Sequence, residues 1–273
     1  MASANYFFND KEAELNRQFL EAGYVKGEVE DRESLEKIRQ TIVHLVADYL
    51  GETISHHGDL LNQIHHRVKP SDLNKLRVHI IQKLNDESWL RIEYFKLARS
   101  MLEAIVGNEL AMQLRVNLSM QLPNDDSSLL PVHADVWSGD SPFEVVVWLP
   151  LVNCYGTKSM FLLPPEPARR LNARFDEFWE KSSEELYQEI RSDLSWIEIE
   201  YGQVMVFNQN LPHGNRINEE SETRWSLNSR FKSVFSPYGD KKLGEFFEPI
   251  TLRAASRIGM DYQFPVERKR SDE

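Results

Sequence analysis

Cysteine is the scarcest residue type in the chain: Cys154 is the one thiol among 273 residues. A single thiol excludes an internal disulfide and any multi-cysteine zinc or iron–sulfur centre, so a bound metal must be held by histidine and carboxylate. That usage fits a reducing compartment. Long apolar runs are also missing, and none approaches the ~20 residues a membrane helix needs. The start, "MASANYFFNDKEAELNRQF", has no cationic stretch leading into an apolar core, as a secretory leader would. A cytoplasmic protein without a membrane partner is the expectation. Positive charge is short too: 32 Lys and Arg stand against 43 Asp and Glu, a net charge of -11. This balance argues against a grip on nucleic-acid phosphates or an anionic bilayer.

What is present is ample core material, 41% hydrophobic residues, enough for one large domain. From Asn9 to about Gly107 the pattern is helical. "DRESLEKIRQTIVHLVADYL" and "SWLRIEYFKLARSMLEAIVG" carry apolar residues at three- and four-residue spacing, with Asp or Ser near their starts as caps. The period then changes to two. "LRVNLSMQL" alternates Leu114, Val116, Leu118 and Met120 with Arg115, Asn117, Ser119 and Gln121, the signature of a half-buried strand. "FEVVVWLPLV", "SMFLLP", "WIEIEYGQVMVFNQ" and "TRWSLNSRFKSVF" read as further strands, with a helical return over "EPARRLNARFDEFWEKSSEELYQEIRSD". Helices followed by strands predict an α+β fold, helices bracing a β-barrel or sandwich. The expected division is a single domain: a mainly helical segment 1–108, a β core 109–240 and a C-terminal segment 241–273.

The chemistry-bearing stretch is "PVHADVWSGD". His133 and Asp135, two apart, point to one side of an extended backbone. A third ligand candidate stands downstream in "YGQVMVFNQNLPHGNRIN", where an apolar strand ends just before His213. Two histidines and one carboxylate on one face leave coordination positions open, the arrangement of non-haem Fe(II) oxygenases. Arg224 follows His213 by eleven residues and opens "RWSLNSRF". On a strand, Arg224, Ser226, Asn228 and Arg230 share a face, and a guanidinium with a hydroxyl two residues on makes a carboxylate clamp.

On "HAD", "GQVMVFNQNLPHGN" and "RWS", the sequence resembles the Fe(II)- and 2-oxoglutarate-dependent oxygenases, on the phytanoyl-CoA-hydroxylase-like side. Through "NLSMQLP", "HADVWSGDSPFEVVVWLPLV", "TKSMFLLP" and "HGNRINEESETRWSLNSRFKSVFSPY" it is similar to a bacterial subgroup associated with surface-carbohydrate gene clusters. The resemblance implies a double-stranded β-helix, a jelly-roll or cupin-like core, with the iron at its open end. It implies Fe(II) on His133, Asp135 and His213, and 2-oxoglutarate with its far carboxylate on Arg224, assisted by Ser226. It implies dioxygen as co-substrate and hydroxylation of a small polar metabolite such as a sugar or sugar nucleotide. The alternatives are a cupin-like metal-dependent sugar isomerase and a non-catalytic small-molecule-binding barrel, neither of which needs a keto-diacid clamp.

Arg230 shares the inward face, so either arginine can be the clamp; the spacing in the family favours Arg224. Asn117 and Gln121, with Arg115 on the same face, are candidates for hydrogen bonds to co-substrate or substrate. Trp137 and Trp148 read as core aromatics, although Trp137, two residues past Asp135, would suit stacking on a sugar ring. Lys158 reads as an exposed loop lysine. His56, His57, His65 and His66 lack a carboxylate or thiolate at ligand spacing and read as a polar face.

Overall fold

The computed structural model describes residues 7–52, 59–178 and 180–265. The N-terminal half opens with α1 (Asp10–Ala22), which carries a capping box from Asn9 and Glu12 and stops at Gly23 in the left-handed conformation. Strand β1 (Tyr24–Glu28) follows, then α2 (Arg32–Leu50), capped by Asp31, α3 (Pro70–Asn85), α4 (Leu90–Lys96) and α5 (Arg99–Ile105). The strands β2 (Leu110–Gln113), β3 (Asn117–Gln121), β4 (Val145–Pro150) and β5 (Phe161–Leu162) come next. After α6 (Pro165–Asn172) and α7 (Ser183–Ile190), the chain forms β6 (Ser195–Trp196), β7 (Gln203–Asn208), β8 (His213–Gly214) and β9 (Arg224–Ser233). It closes with β10 (Phe247–Pro249) and α8 (Ala254–Asp261). No helix among the described residues is long and apolar enough to cross a membrane.

Two antiparallel sheets face each other. The larger runs β1-β7-β4-β9-β2-β10 with β3 beside β9, and the smaller runs β6-β5-β8. His133 bridges to His213 in antiparallel fashion and so adds a fourth rung to the small sheet. This interleaving of sequence-distant strands is the double-stranded β-helix, the jelly-roll, cupin-like fold expected from the sequence.

Strand β9 explains the layering. Trp225, Leu227 and Phe231 point away from the small sheet and are fully buried, so their face needs a cover. The helices supply it. Tyr94 of α4 donates its hydroxyl to the carbonyls of Val147 (2.9 Å) and Leu227 (3.3 Å). Trp225 donates its indole N–H to the Leu61 carbonyl at 2.8 Å, and Asn85 at the end of α3 exchanges two hydrogen bonds with the backbone of Val116. Val145, Val147 and Leu149 of β4 pack into the same layer, while Val146 and Trp148 face the opposite way, into the barrel.

The structure departs from the sequence reading in three places. The segment read as helical contributes β1, which pairs with β7 from Tyr24↔Phe207 to Glu28↔Gln203 and extends the large sheet. "SWLRIEYFKLARSMLEAIVG" is two helices, broken at Leu97 and Ala98, where Ala98 leaves helical geometry at φ -138°; both residues are buried, so the apolar period continues through the break. "LRVNLSMQL" is strand only from Asn117 to Gln121, since Leu114, 40% exposed, Arg115 and Val116 form the bend between β2 and β3.

Because Trp225 joins the sheet to the helical layer, Trp225→Ala is expected to cost about 3–5 kcal/mol of stability, the usual loss for a buried aromatic truncated to alanine. Urea unfolding of the two proteins measures it; a loss under about 1 kcal/mol would mean that the helices are not anchored through this residue.

Candidate active site

His133, Asp135 and His213 lie at the barrel mouth with their ligand atoms within 4.8 Å of one another. They come from three local structures that the fold brings together. His133 and His213 exchange backbone hydrogen bonds (3.0 and 2.8 Å) across the small sheet, which sets their ring centroids 4.3 Å apart. Gly214 lets the chain pass: a Cβ there would meet the Leu130 carbonyl oxygen at 2.6 Å. Asp135 opens a 3-10 turn, Asp135–Ser138, and its N–H donates to the Gln209 carbonyl at 3.1 Å. Its Oδ1 is 3.6 Å from His133 Nε2. Among the described residues this is the one cluster of three His, Cys, Asp or Glu side chains so spaced.

The ring nitrogens are in a state that could hold a metal. Nδ1 of His133 lies 2.9 Å from the Pro131 carbonyl and Nδ1 of His213 lies 2.8 Å from the Leu211 carbonyl. A carbonyl only accepts, so each Nδ1 carries the proton and each Nε2 presents a lone pair to the shared centre. Burial, reinforced by the neighbouring His133, pushes the His213 pKa down to about 4. His213 is therefore neutral, the form that binds a cation.

Behind this triad is a cavity of about 250 Å³, walled by Val146, Trp148 and Phe207 and edged by Asn117, Ser119, Asn228 and both arginines of β9. The two arginines differ in their surroundings. Arg230 Nη2 donates to Asp135 Oδ2 at 2.6 Å, and its Nε donates to Gln209 Oε1 at 3.0 Å and lies 3.4 Å from Asp140 Oδ2. Its charge is already spoken for. Arg224 is buried and donates to the Ser159 carbonyl (2.9 Å) and Ser119 Oγ (2.8 Å), both neutral acceptors. Its Nε has no partner, nor has the buried Ser226 Oγ two residues on. Burial draws the Arg224 pKa below its ordinary value. The thiol of Cys154, the group whose charge would help it, is itself buried and pushed up to about 11, so it stays neutral. Arg224 is thus a buried cation facing a cavity without a counter-ion among the described residues, a costly arrangement unless an anion fills it.

Of the remaining expectations, Asn117 lines the cavity and donates to Asn228 Oδ1 at 3.0 Å. Gln121 does not line it: it is fully buried opposite Arg224 and donates to the Arg216 carbonyl. Arg115 precedes β3 and is exposed. Lys158 is not an exposed loop lysine but fully buried, bonded to Glu222 Oε2 (2.6 Å) and Asn62 Oδ1 (2.9 Å). Trp148 is a cavity wall, while Trp137 is 37% exposed and packs against Phe175, the two rings tilted with centroids 4.8 Å apart. His65 contacts Thr223 Oγ1 at 3.1 Å and belongs to no group of three metal-ligating side chains among the described residues, and His56 and His57 lie outside the described residues. Ser119, Asn228, Gln209 and Asp140 join the site without having been singled out as site residues in the sequence. Ser119 and Asn228 carried a signal, since each shares strand parity with a residue that was chosen.

No protein-family model and no curated protein sequence matches the chain. Solved structures do match in fold. A non-heme monooxygenase, ThoJ, in its nickel complex is 15% identical over 89% of this chain and 85% of that one, with a TM-score of 0.54. EctD from S. alaskensis, with 2-oxoglutarate and 5-hydroxyectoine, is 14% identical over 87% and 80% at 0.55. HygX from Streptomyces hygroscopicus, with nickel and 2-oxoglutarate, is 12% identical over 86% and 90% at 0.50. At these identities the likeness establishes a shared β-helix fold.

If Arg224 is kept for a ligand rather than for stability, Arg224→Met should leave the unliganded protein as stable as the natural chain or more so, because it removes an unpaired buried charge at similar volume. Urea unfolding measures it; a fall of several kcal/mol would make Arg224 a structural pin.

Proposed function

We propose that this protein is a non-haem Fe(II)- and 2-oxoglutarate-dependent dioxygenase that hydroxylates a small polar metabolite. The observation that carries the reading is the pairing of an open His133–Asp135–His213 cluster with the unpaired, buried Arg224 in one cavity. A metal-binding barrel with another task has use for the cluster alone; a buried, cavity-lining arginine with an idle Nε asks for a carboxylate, and the Ser226 hydroxyl two residues on, itself unpaired, is the nearest hydroxyl on the same strand parity. The β-helix neighbours solved with 2-oxoglutarate support the same assignment.

In this reading His133 and His213 offer their Nε2 atoms and Asp135 its Oδ1 to Fe(II), and Arg224, Ser226 and Ser119 take the far carboxylate of 2-oxoglutarate. When bound, iron and 2-oxoglutarate supply the oxidising chemistry: dioxygen is consumed, 2-oxoglutarate leaves as succinate and carbon dioxide, and one oxygen atom enters a C–H bond of the substrate. The chain supplies position and exclusion. Arg230 holds the outer oxygen of Asp135, and Val146, Trp148 and Phe207 keep water from the inner wall. Asn117 and Asn228 offer amide groups to a polar substrate. Trp137, partly exposed beside the Asp135 turn, offers aromatic surface of the kind that stacks on a sugar ring, which favours a sugar or sugar nucleotide among small polar metabolites.

Anaerobic addition of Fe(II) and then 2-oxoglutarate to the purified chain is expected to give a visible charge-transfer band. Arg224→Ala should lose it at 2-oxoglutarate concentrations that saturate the natural protein, and His133→Ala should lose it with the metal. A metal-loaded protein with no band, and no succinate formed alongside candidate substrates, overturns the proposal.

A further inference from the structure

We propose that Arg230 is a positioning residue for the Asp135 carboxylate, itself held by a ladder of alternating charges that runs through Asp140 to Lys241 in the C-terminal loop. This inference rests on the metal-site reading of His133, Asp135 and His213. Asp135 is the first residue of a 3-10 turn four residues long, a short frame for a side chain that must hold a fixed geometry. Arg230 removes that freedom: by taking Oδ2 at 2.6 Å it leaves Oδ1, the oxygen on the His133 side, as the one available to a metal. The arginine specifies ligation through one named oxygen.

Arg230 is flexible by nature, and its own placement is specified in turn. Its backbone sits in β9 opposite Val146 of β4. Its Nε meets Gln209 Oε1 at 3.0 Å, and Gln209 is anchored at its other end on Glu144 Oε2 at 3.0 Å. The same Gln209 accepts the Asp135 N–H on its backbone carbonyl, so one residue fixes the ligand's main chain and its side-chain partner together. Asp140 Oδ2, 3.4 Å from Arg230 Nε, also receives Lys241 Nζ at 2.5 Å. Along Asp135, Arg230, Asp140 and Lys241 two carboxylates and two cations alternate, so these four charges balance; Glu144, reached through Gln209, is a further buried carboxylate beside them.

The ladder's far end is mechanically tied down. Ser141 Oγ donates to the Pro237 carbonyl at 2.5 Å and Asp240 N–H to the Gly139 carbonyl at 2.9 Å. A Cβ at Gly139 would collide with Asp240, and one at Gly239 would collide with the Gly139 carbonyl. The loop after Asp135 and the loop before β10 are therefore locked face to face, and the C-terminal segment takes part in building the metal site.

The test is Ni(II) titration calorimetry on the full chain in a double-mutant cycle. Arg230→Met should weaken Ni(II) binding about 10- to 100-fold, the common cost of removing a ligand's supporting partner, and Arg230→Lys should recover part of it. In the Asp135→Ala background the same Arg230→Met change should alter affinity by no more than about twofold, the scatter of independent effects. Asp140→Asn and Lys241→Met should each weaken binding by less than Arg230→Met, again only when Asp135 is present. These milder variants decide the matter if Arg230→Met does not fold. Unchanged Ni(II) affinity in Arg230→Met or Asp140→Asn, or equal losses with and without Asp135, overturns the positioning role. A natural chain that binds no Ni(II) refutes the metal-site reading and the inference with it.

Discussion

Strand β9 is buried on both faces, and the rest of the molecule is arranged around that constraint. A strand with one wet face can leave its polar residues to solvent; β9 cannot, because Trp225, Leu227 and Phe231 fill one side and Arg224, Asn228 and Arg230 line the barrel cavity, with buried Ser226 on the same parity. The apolar side calls for a second layer, which α2, α3 and α4 provide. The polar side calls for partners in a space from which water is largely excluded, where every unpaired group is costly. The strand's alternation thus creates the need for the helical layer and the conditions for a ligand site at once.

Within that site, two arginines six residues apart on one strand have opposite roles because of what faces them. Arg230 meets Asp135, Asp140 and Gln209 and is part of a closed network. Arg224 meets only neutral oxygens, and its idle Nε and the idle Ser226 Oγ remain to be satisfied. Folding tolerates the second arrangement at a cost, and a co-substrate carboxylate would relieve it. That asymmetry is the ground on which Arg224, rather than Arg230, is proposed as the clamp.

Much of this is legible in the sequence because period-two alternation is a local signal. The inward face of β9 follows from residue parity, as does the common side of His133 and Asp135. What parity cannot give is which strand becomes an edge or where an element breaks. β1 is five residues long between two helices, with Gly27 as its fourth residue and no long alternation. The α4–α5 break keeps its apolar spacing through Leu97 and Ala98, with neither proline nor glycine to mark it. Gln209, Asp140 and Lys241 were invisible for another reason: their roles depend on loops distant in sequence, and a polar residue in a loop carries no sign of its partner. Lys158 reads as an exposed loop lysine on the same ground, since Glu222 reaches it only across the folded loops.

Arg224 is proposed to wait for the far carboxylate of a keto-diacid. Anaerobic calorimetry on the Ni(II)-loaded chain, comparing 2-oxoglutarate with 2-oxobutyrate, which keeps the keto-acid end but lacks that carboxylate, tests it most directly. 2-Oxobutyrate should bind more weakly by about 2–5 kcal/mol, the cost of leaving a buried charge unpaired, and Arg224→Met should abolish this preference. Equal affinity for the two acids in the natural chain would contradict it.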